Sequence, residues 1–251
     1  MFTRVKSTGE LAAMRESGRM LAGVLSLLKA EIKPGMTTKD LSVIAARELR
    51  KLGGSPAFLG YQGFPDVLCV SVNEEVVHGI PSEHKVIQNG DIVSLDFGVT
   101  YKNMVTDAAI SVIVGKAISS KDTDLVKNTE QSLNFGIATV HDGVQTGDIG
   151  STIEAELSKH KYGIVRDLVG HGVGDHVHED PNVPNYGKAG TGPKLKKNMT
   201  IAIEPMATLG SERVQIANDG WTVLTWDGSR AAHFEHTVAV TEDGAEIMTQ
   251  L

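Results

Sequence analysis

Leu11, Met14, Gly18, Leu21, Leu25 and Leu28 recur at helical spacing, which predicts an amphipathic helix over 8–31. Ser7 followed by Glu10 is a capping-box pattern at its start, and "KPGM" stops it. Thr37 and Asp40 open a second helix that carries Leu41, Ile44, Leu49 and Leu52 on one side and ends at Gly53-Gly54. Strand-like runs follow at 67–72, 91–99 and 105–115, apolar or alternating and rich in β-branched residues. The same signal returns at 199–205, 213–217, 221–226 and 234–241.

The pattern also repeats itself. "IKPGMTTKDL" from Ile32 and "VHDGVQTGDI" from Val140 align without gaps and share Gly35/Gly143, Thr38/Thr146 and Asp40/Asp148. Each leads into a helix, and each follows a longer one, 8–31 and 122–141. Helix, helix, strands, twice over, predicts an α+β fold with central antiparallel sheets flanked by helices. The halves, roughly 1–118 and 119–251, show no compositional linker between them and read as a single domain.

Composition narrows the function classes. The 251 residues are 41 % hydrophobic, enough for a sizeable core, and Gly is frequent at 27 copies. The net charge of -7 argues against sequence-independent nucleic-acid binding, and the Lys194, Lys196, Lys197 cluster reads as a solvated turn. A lone Cys69 cannot form an intrachain disulfide, and "MFTRVKSTGE" lacks an apolar signal core. With no apolar run of membrane-spanning length, the expectation is a cytoplasmic protein without membrane or nucleic-acid partners.

Asp96 in "SLDFG" and Asp107 in "TDAA" are acids inside apolar strands, which is costly unless they are paired or bound to metal. A turn at Tyr101-Lys102 would set them directly opposite each other, on one face. Folding the later strands about "NDGW" sets Glu204 of "IAIEP" opposite Glu235 of "FEHT". Each pair alone could be strand-edge acids in water. Two pairs, one per repeat, point instead to four carboxylates in one pocket. At an effective dielectric of about 20, each close pair repels by roughly 4 kcal/mol at 4 Å. Four carboxylates and an imidazole suit two divalent cations, with Mn, Fe or Co favoured by oxygen-rich ligation.

"GHGVGDHVHEDP" places His171, His176 and His178 close together. With "VNEEVVHGIP", "SLDFGVTYKNMVTDAA", "TIAIEPM" and "DGWTVLTWDGSRAAHFEHTVAVTEDG", it makes nearly the whole chain resemble type I methionine aminopeptidases. The resemblance implies the pita-bread fold, with pseudo-twofold related halves. It implies that Asp96, Asp107, His171, Glu204 and Glu235 ligate a dinuclear centre, whose metals (Co, Mn, Fe or Zn) stay open. His78 and His178 would contact substrate at the scissile bond, and Glu204 would handle the proton. Phe58, Tyr61, Phe64, Cys69, Val177 and Trp221 would form the methionine pocket. Phe58 stands where several members carry Cys; Val177 stands where many carry Phe, and that lost ring is expected to leave the pocket roomier. A monovalent-cation loop would map to Asn73, Glu75 and Ala231.

The activity so implied is removal of the initiator methionine from nascent chains, with small second residues preferred, by hydroxide attack at the dinuclear centre. A monomer with at most transient ribosome contact is expected. Two other readings stand beside it: another pita-bread peptidase, of the X-Pro aminopeptidase or prolidase kind, and a non-catalytic binding module. Against the module, all five ligand positions are filled. His236 lies on the opposite strand face from Glu235 and is not read as a ligand, and His176 is read as a bystander. His84, His141, His160 and His233 are expected in solvent.

Overall fold

The computed structural model describes residues 2–251. In the first half, α1 (Thr8–Glu31) and α2 (Thr38–Leu52) precede β1 (Ser55–Pro56), β2 (Cys69–Val72), β3 (Glu75–Val77), β4 (Ile92–Tyr101) and β5 (Met104–Ile113). In the second, α3 (Ser120–Ala138) and α4 (Thr146–Lys159) precede β6 (Gly163–Ile164), β7 (Gly170–Gly172), β8 (Glu179–Val183), β9 (Thr200–Ile203) and β10 (Met206–Thr208). The chain closes with β11 (Val214–Ile216), β12 (Val223–Thr225), β13 (Ala231–His233), β14 (Glu235–Val240) and β15 (Ala245–Ile247). This is the α+β pita-bread architecture: antiparallel strands of both halves join in one nine-stranded sheet ordered β1-β4-β5-β14-β9-β7-β8, with β2 on β4 and β15 on β14.

Both short helices start in the same way, and this makes the repeat visible in three dimensions. Gly35 and Gly143 take left-handed φ of 91° and 85°, which glycine adopts without Cβ strain. The Gly35 N–H donates to the Ile87 carbonyl at 2.9 Å and the Gly143 N–H to the Leu195 carbonyl at 2.8 Å. Asp40 and Asp148 each close a capping box onto the residue before the helix. Asp96 and Glu204 stand at the same sequence separation as Gly35 and Gly143, so the repeat carries an acid at matching places on β4 and just past β9.

Alternation along the strands sorts the sheet's two faces. Val93, Leu95, Phe97 and Val99 of β4 pack with Leu21, Leu25, Leu28 and Leu41 from α1 and α2. Ile201 and Ile203 of β9 and Val238 and Val240 of β14 pack with Leu133, Ile149 and Ile153 from α3 and α4. The helices therefore cover one face, and burying each such side chain contributes roughly 1.5–3 kcal/mol. The intervening residues, Ser94, Asp96 and Gly98 on β4 and Asp107 and Ala109 on β5, face the other way.

The registers correct one expectation and match another. The β4–β5 turn centres on Lys102-Asn103, both at positive φ (48° and 64°). Asp96 therefore opposes Ala109, and Asp107 opposes Gly98. The two acids are diagonal neighbours, still on one face because a shift of two preserves side-chain direction. The hairpin about Asp219-Gly220 pairs as expected. Its register runs unbroken from Ile216↔Val223 through Met206↔His233 to His236↔Ile203, although the strands divide among three sheets.

Candidate metal and peptide site

Two rows of side chains cross the helix-free face. Asp96, Ala109 and Glu235 are successive cross-strand partners, and Glu204 follows directly after β9, beside the start of β14. The next row holds Gly98 opposite Asp107, and Ala202 opposite His171. Small residues alternate with ligand-type residues, so the longer side chains meet over Ala109 and Ala202 without crowding. Thr237 locks the rows together: its hydroxyl donates to the Asp107 carbonyl at 2.7 Å and accepts from the Asp107 N–H at 2.8 Å.

The acids are buried, and one oxygen on each of Asp96, Asp107 and Glu235 has no hydrogen-bond partner. Burial pushes the Asp107 carboxyl up to about 7. Burial, then repulsion from Asp107, holds Asp96, Glu204 and Glu235 well above the usual carboxylate range. His171 is neutral, because burial and then His178 bring its pKa down to about 3. Its Nδ1 lies 2.9 Å from the Gly172 carbonyl. Nδ1 therefore carries the hydrogen, and the Nε2 lone pair is aimed at Glu204 Oε1, 3.4 Å away. Donor atoms of Asp107, His171 and Glu235 lie within 4.8 Å of one another. Unpartnered carboxylate oxygens around one imidazole lone pair fit hard or borderline divalent cations, which would relieve both the repulsion and the unmet acceptors.

The acids floor a cavity of about 130 Å³ whose walls include Phe58, Tyr61, Phe64, Cys69 and Trp221, with His78 and His178 beside them. Phe64 and Trp221 meet edge to face at 5.2 Å, and the Trp221 ring lies 6.3 Å from that of His78. His78 holds a left-handed φ of 59°, a strained backbone of the kind that clusters at functional sites. Burial lowers its pKa to about 4. The Tyr61 hydroxyl is 2.9 Å from His178 Nδ1. Cys69 is buried opposite Asp96, and both burial and that acid push its thiol up.

Of the residues expected here, Val177 does not reach the cavity. It packs with Phe58, Phe64 and Cys69 behind the wall, so its small size acts on the pocket only through those neighbours. His233 also departs from expectation. It is 1 % exposed, not solvated, with Nε2 3.7 Å from Glu204 Oε2. His176, His84 and His141 are exposed, and His236 turns toward Thr249, with Nδ1 2.8 Å from its hydroxyl. The glycines flanking His171 serve the backbone rather than an approaching ion. A Cβ on Gly170 would lie 2.4 Å from the Ala202 carbonyl oxygen, and one on Gly172 2.5 Å from that of Asp180. Asn73 and Ala231 are joined by an N–H to carbonyl bond of 2.8 Å, while the Glu75 carboxylate is already paired with Lys85. Gln62 also lines the cavity, at a positive φ of 48°; its place between Tyr61 and Gly63 was the one hint, a turn too short to carry a periodic signal.

Comparison with known proteins gives the family and the fold. Residues 12–242 match the model of metallopeptidase family M24. Methionine aminopeptidase 1 of Bacillus subtilis is 45 % identical over 246 residues, 98 % of each chain. Methionine aminopeptidase of Clostridium acetobutylicum is 44 % identical over 245 residues, again 98 % of each. Among solved structures, methionine aminopeptidase from Thermotoga maritima superposes with a TM-score of 0.98 at 44 % identity, covering 100 % of both chains. The prolidase from Pyrococcus furiosus, at 21 % identity, TM-score 0.78 and 98 % and 65 % coverage of this chain and that one, shares the fold.

Proposed function

This chain belongs to metallopeptidase family M24, among its methionine aminopeptidases, and from that premise we propose that Asp96, Asp107, His171, Glu204 and Glu235 hold two divalent cations and that the cavity above them takes an N-terminal methionine. When bound, such a pair supplies an activated water near neutral pH and polarises the scissile carbonyl. The observation that carries the reading is the set of buried, unpartnered carboxylate oxygens on the floor of a mostly apolar cavity. A cavity of about 130 Å³, lined largely by apolar side chains, suits one unbranched apolar side chain such as that of methionine.

The protein's own groups divide the remaining work. Glu204 is the most exposed of the four acids, with 14 % of its side chain accessible, so it is the one able to exchange a proton with solvent and pass it to the leaving amine. Where the Tyr61 hydroxyl donates to Nδ1 of a neutral His178, Nε2 would carry the ring hydrogen and could donate to the developing oxyanion. His78, neutral at pH 7, stands across the cavity beside Trp221. His78 and His178 both line the cavity, and crowding by these two rings is the proposed reason for favouring Gly, Ala or Ser as the second residue. No helix among the described residues is long and apolar enough to cross a membrane; the proposed substrates are nascent chains in the cytoplasm.

Met-Gly-X, Met-Lys-X and X-Pro peptides offered to metal-loaded protein test the reading. Free methionine from Met-Gly-X, at a kcat/KM well above that for Met-Lys-X, is expected. Equal values for the two would remove the crowding argument, and cleavage of X-Pro alone would replace the proposed substrate.

A further inference from the structure

We propose that Lys6 is a positioning residue for His178, acting through Glu179 from a strap that precedes the first helix. The inference rests on the role given to His178 above. The strap is tied to the histidine-bearing segment at Asp180 and to the chain around the start of β9. The Thr3 N–H donates to the Asp180 carbonyl at 2.5 Å, the Thr3 hydroxyl to the Thr200 carbonyl at 3.3 Å, and the Lys6 N–H to the Asn198 carbonyl at 2.8 Å.

The Lys6 side chain is fully buried, with none of its surface exposed. Its stem crosses Gly174, where a Cβ would lie 2.4 Å from Lys6 Cε. The ammonium ends 3.5 Å from Glu179 Oε2, 3.8 Å from Asp175 Oδ2 and 3.0 Å from Thr3 Oγ1. Glu179 is also buried, its side chain 2 % exposed. Its other oxygen accepts the N–H groups of Asp175 and His176 at 2.7 and 2.9 Å. One carboxylate thus gathers the turn that leads into His178, and one ammonium makes its burial affordable. Removing a single partner from a buried ion pair strands the other charge. Glu179 must then protonate or draw in water, and either weakens its hold on the two N–H groups. His178 is the next residue back along the chain. Displacing a reacting group by about 1 Å can cost as much as about a hundredfold in rate.

The test is a double-mutant cycle in kcat and KM on a Met-Gly-X peptide at saturating metal, with Lys6→Met, His178→Ala and the combined variant. Lys6→Met should lower kcat about tenfold or more while KM changes little. In the His178→Ala background, Lys6→Met should leave kcat unchanged, which a general loss of fold would not do. Equal losses in both backgrounds, or wild-type kcat in Lys6→Met, overturn the proposal while leaving the role of His178 intact. Wild-type kcat in His178→Ala alone overturns that role, and the proposal with it. Should Lys6→Met not fold, Glu179→Gln enters the same cycle. It removes the anchoring charge and leaves the Lys6 ammonium to Asp175 and Thr3, and the same loss of effect in the His178→Ala background is expected.

Discussion

His171, His176 and His178 lie within one short segment yet meet three environments. His171 is buried with Nε2 toward Glu204, His178 is bonded to Tyr61, and His176 is exposed. His171→Ala should weaken metal affinity, measured by titration calorimetry. His178→Ala should bind metal normally and lose about a hundredfold to a thousandfold in kcat, the scale for one oxyanion donor. His176→Ala should do neither. A His176→Ala defect matching the other two would refute the division of roles. The titrating groups make a second prediction at this scale. Carboxyls raised by burial favour the folded state while protonated, so they lose stabilising effect as pH rises; histidines lowered by burial do the opposite, up to their ordinary 6.5. Above pH 6.5 the histidines are neutral folded or unfolded, and of these two sets only the carboxyls still count. Metal-free protein should then lose stability from pH 6.5 upward, through about 7 where Asp107 ionises. Urea melts across pH 6.5–8.5 measure this, and a flat or rising profile contradicts it. The four acids were legible because acids inside apolar strands are conspicuous, whereas His171 was singled out from its two neighbouring histidines only by the family resemblance. The burial of His233 was not legible, since neither period nor neighbours mark a polar residue whose strand faces inward.

Among the elements, hairpin register decides which residues meet. The Asp219-Gly220 turn is a strong signal, and it fixed the pairing of a long hairpin whose strands separate into three sheets. The Lys102-Asn103 turn is a weaker one, since neither residue is glycine although both take positive φ. Displacing its centre by one residue moves every partner by two, so the face of Asp96 and Asp107 was right and their opposition was not. Short strands such as β6, β7 and β13 carry too few residues for alternation to be read at all. Gly98, opposite Asp107, shows how an element can shape the pocket. A Cβ there would lie 2.5 Å from Phe58 Cε1, so the ring, which lines the cavity, would have to shift. Gly98→Ala should raise KM for Met-Gly-X by about tenfold or more, on the scale of small volume changes in apolar pockets, with a smaller change in kcat. Unchanged KM would show that Phe58 moves aside elsewhere.

For the whole molecule, the repeat sets the site at the seam of two similar halves. Asp96 and Asp107 come from one half, and His171, Glu204 and Glu235 from the other. A bound cation thereby links strands that the chain brings together from far apart in sequence. Metal at a hundred times its dissociation constant should stabilise the fold by about 2.7 kcal/mol per independent site, read as a rise in melting temperature. An unchanged melting temperature would place the metal elsewhere. The most direct test of the account is methionine release by Asp107→Ala at saturating Mn or Co, alongside the wild-type protein. Asp107 lies on β5, between the strands that carry Asp96 and Glu235 and diagonal to both acids, where it would be shared by the proposed cations. The account predicts a folded protein, held by the same Thr237 contacts to the backbone of residue 107, that releases no methionine. Turnover near the wild-type rate would contradict a dinuclear site built on these five residues.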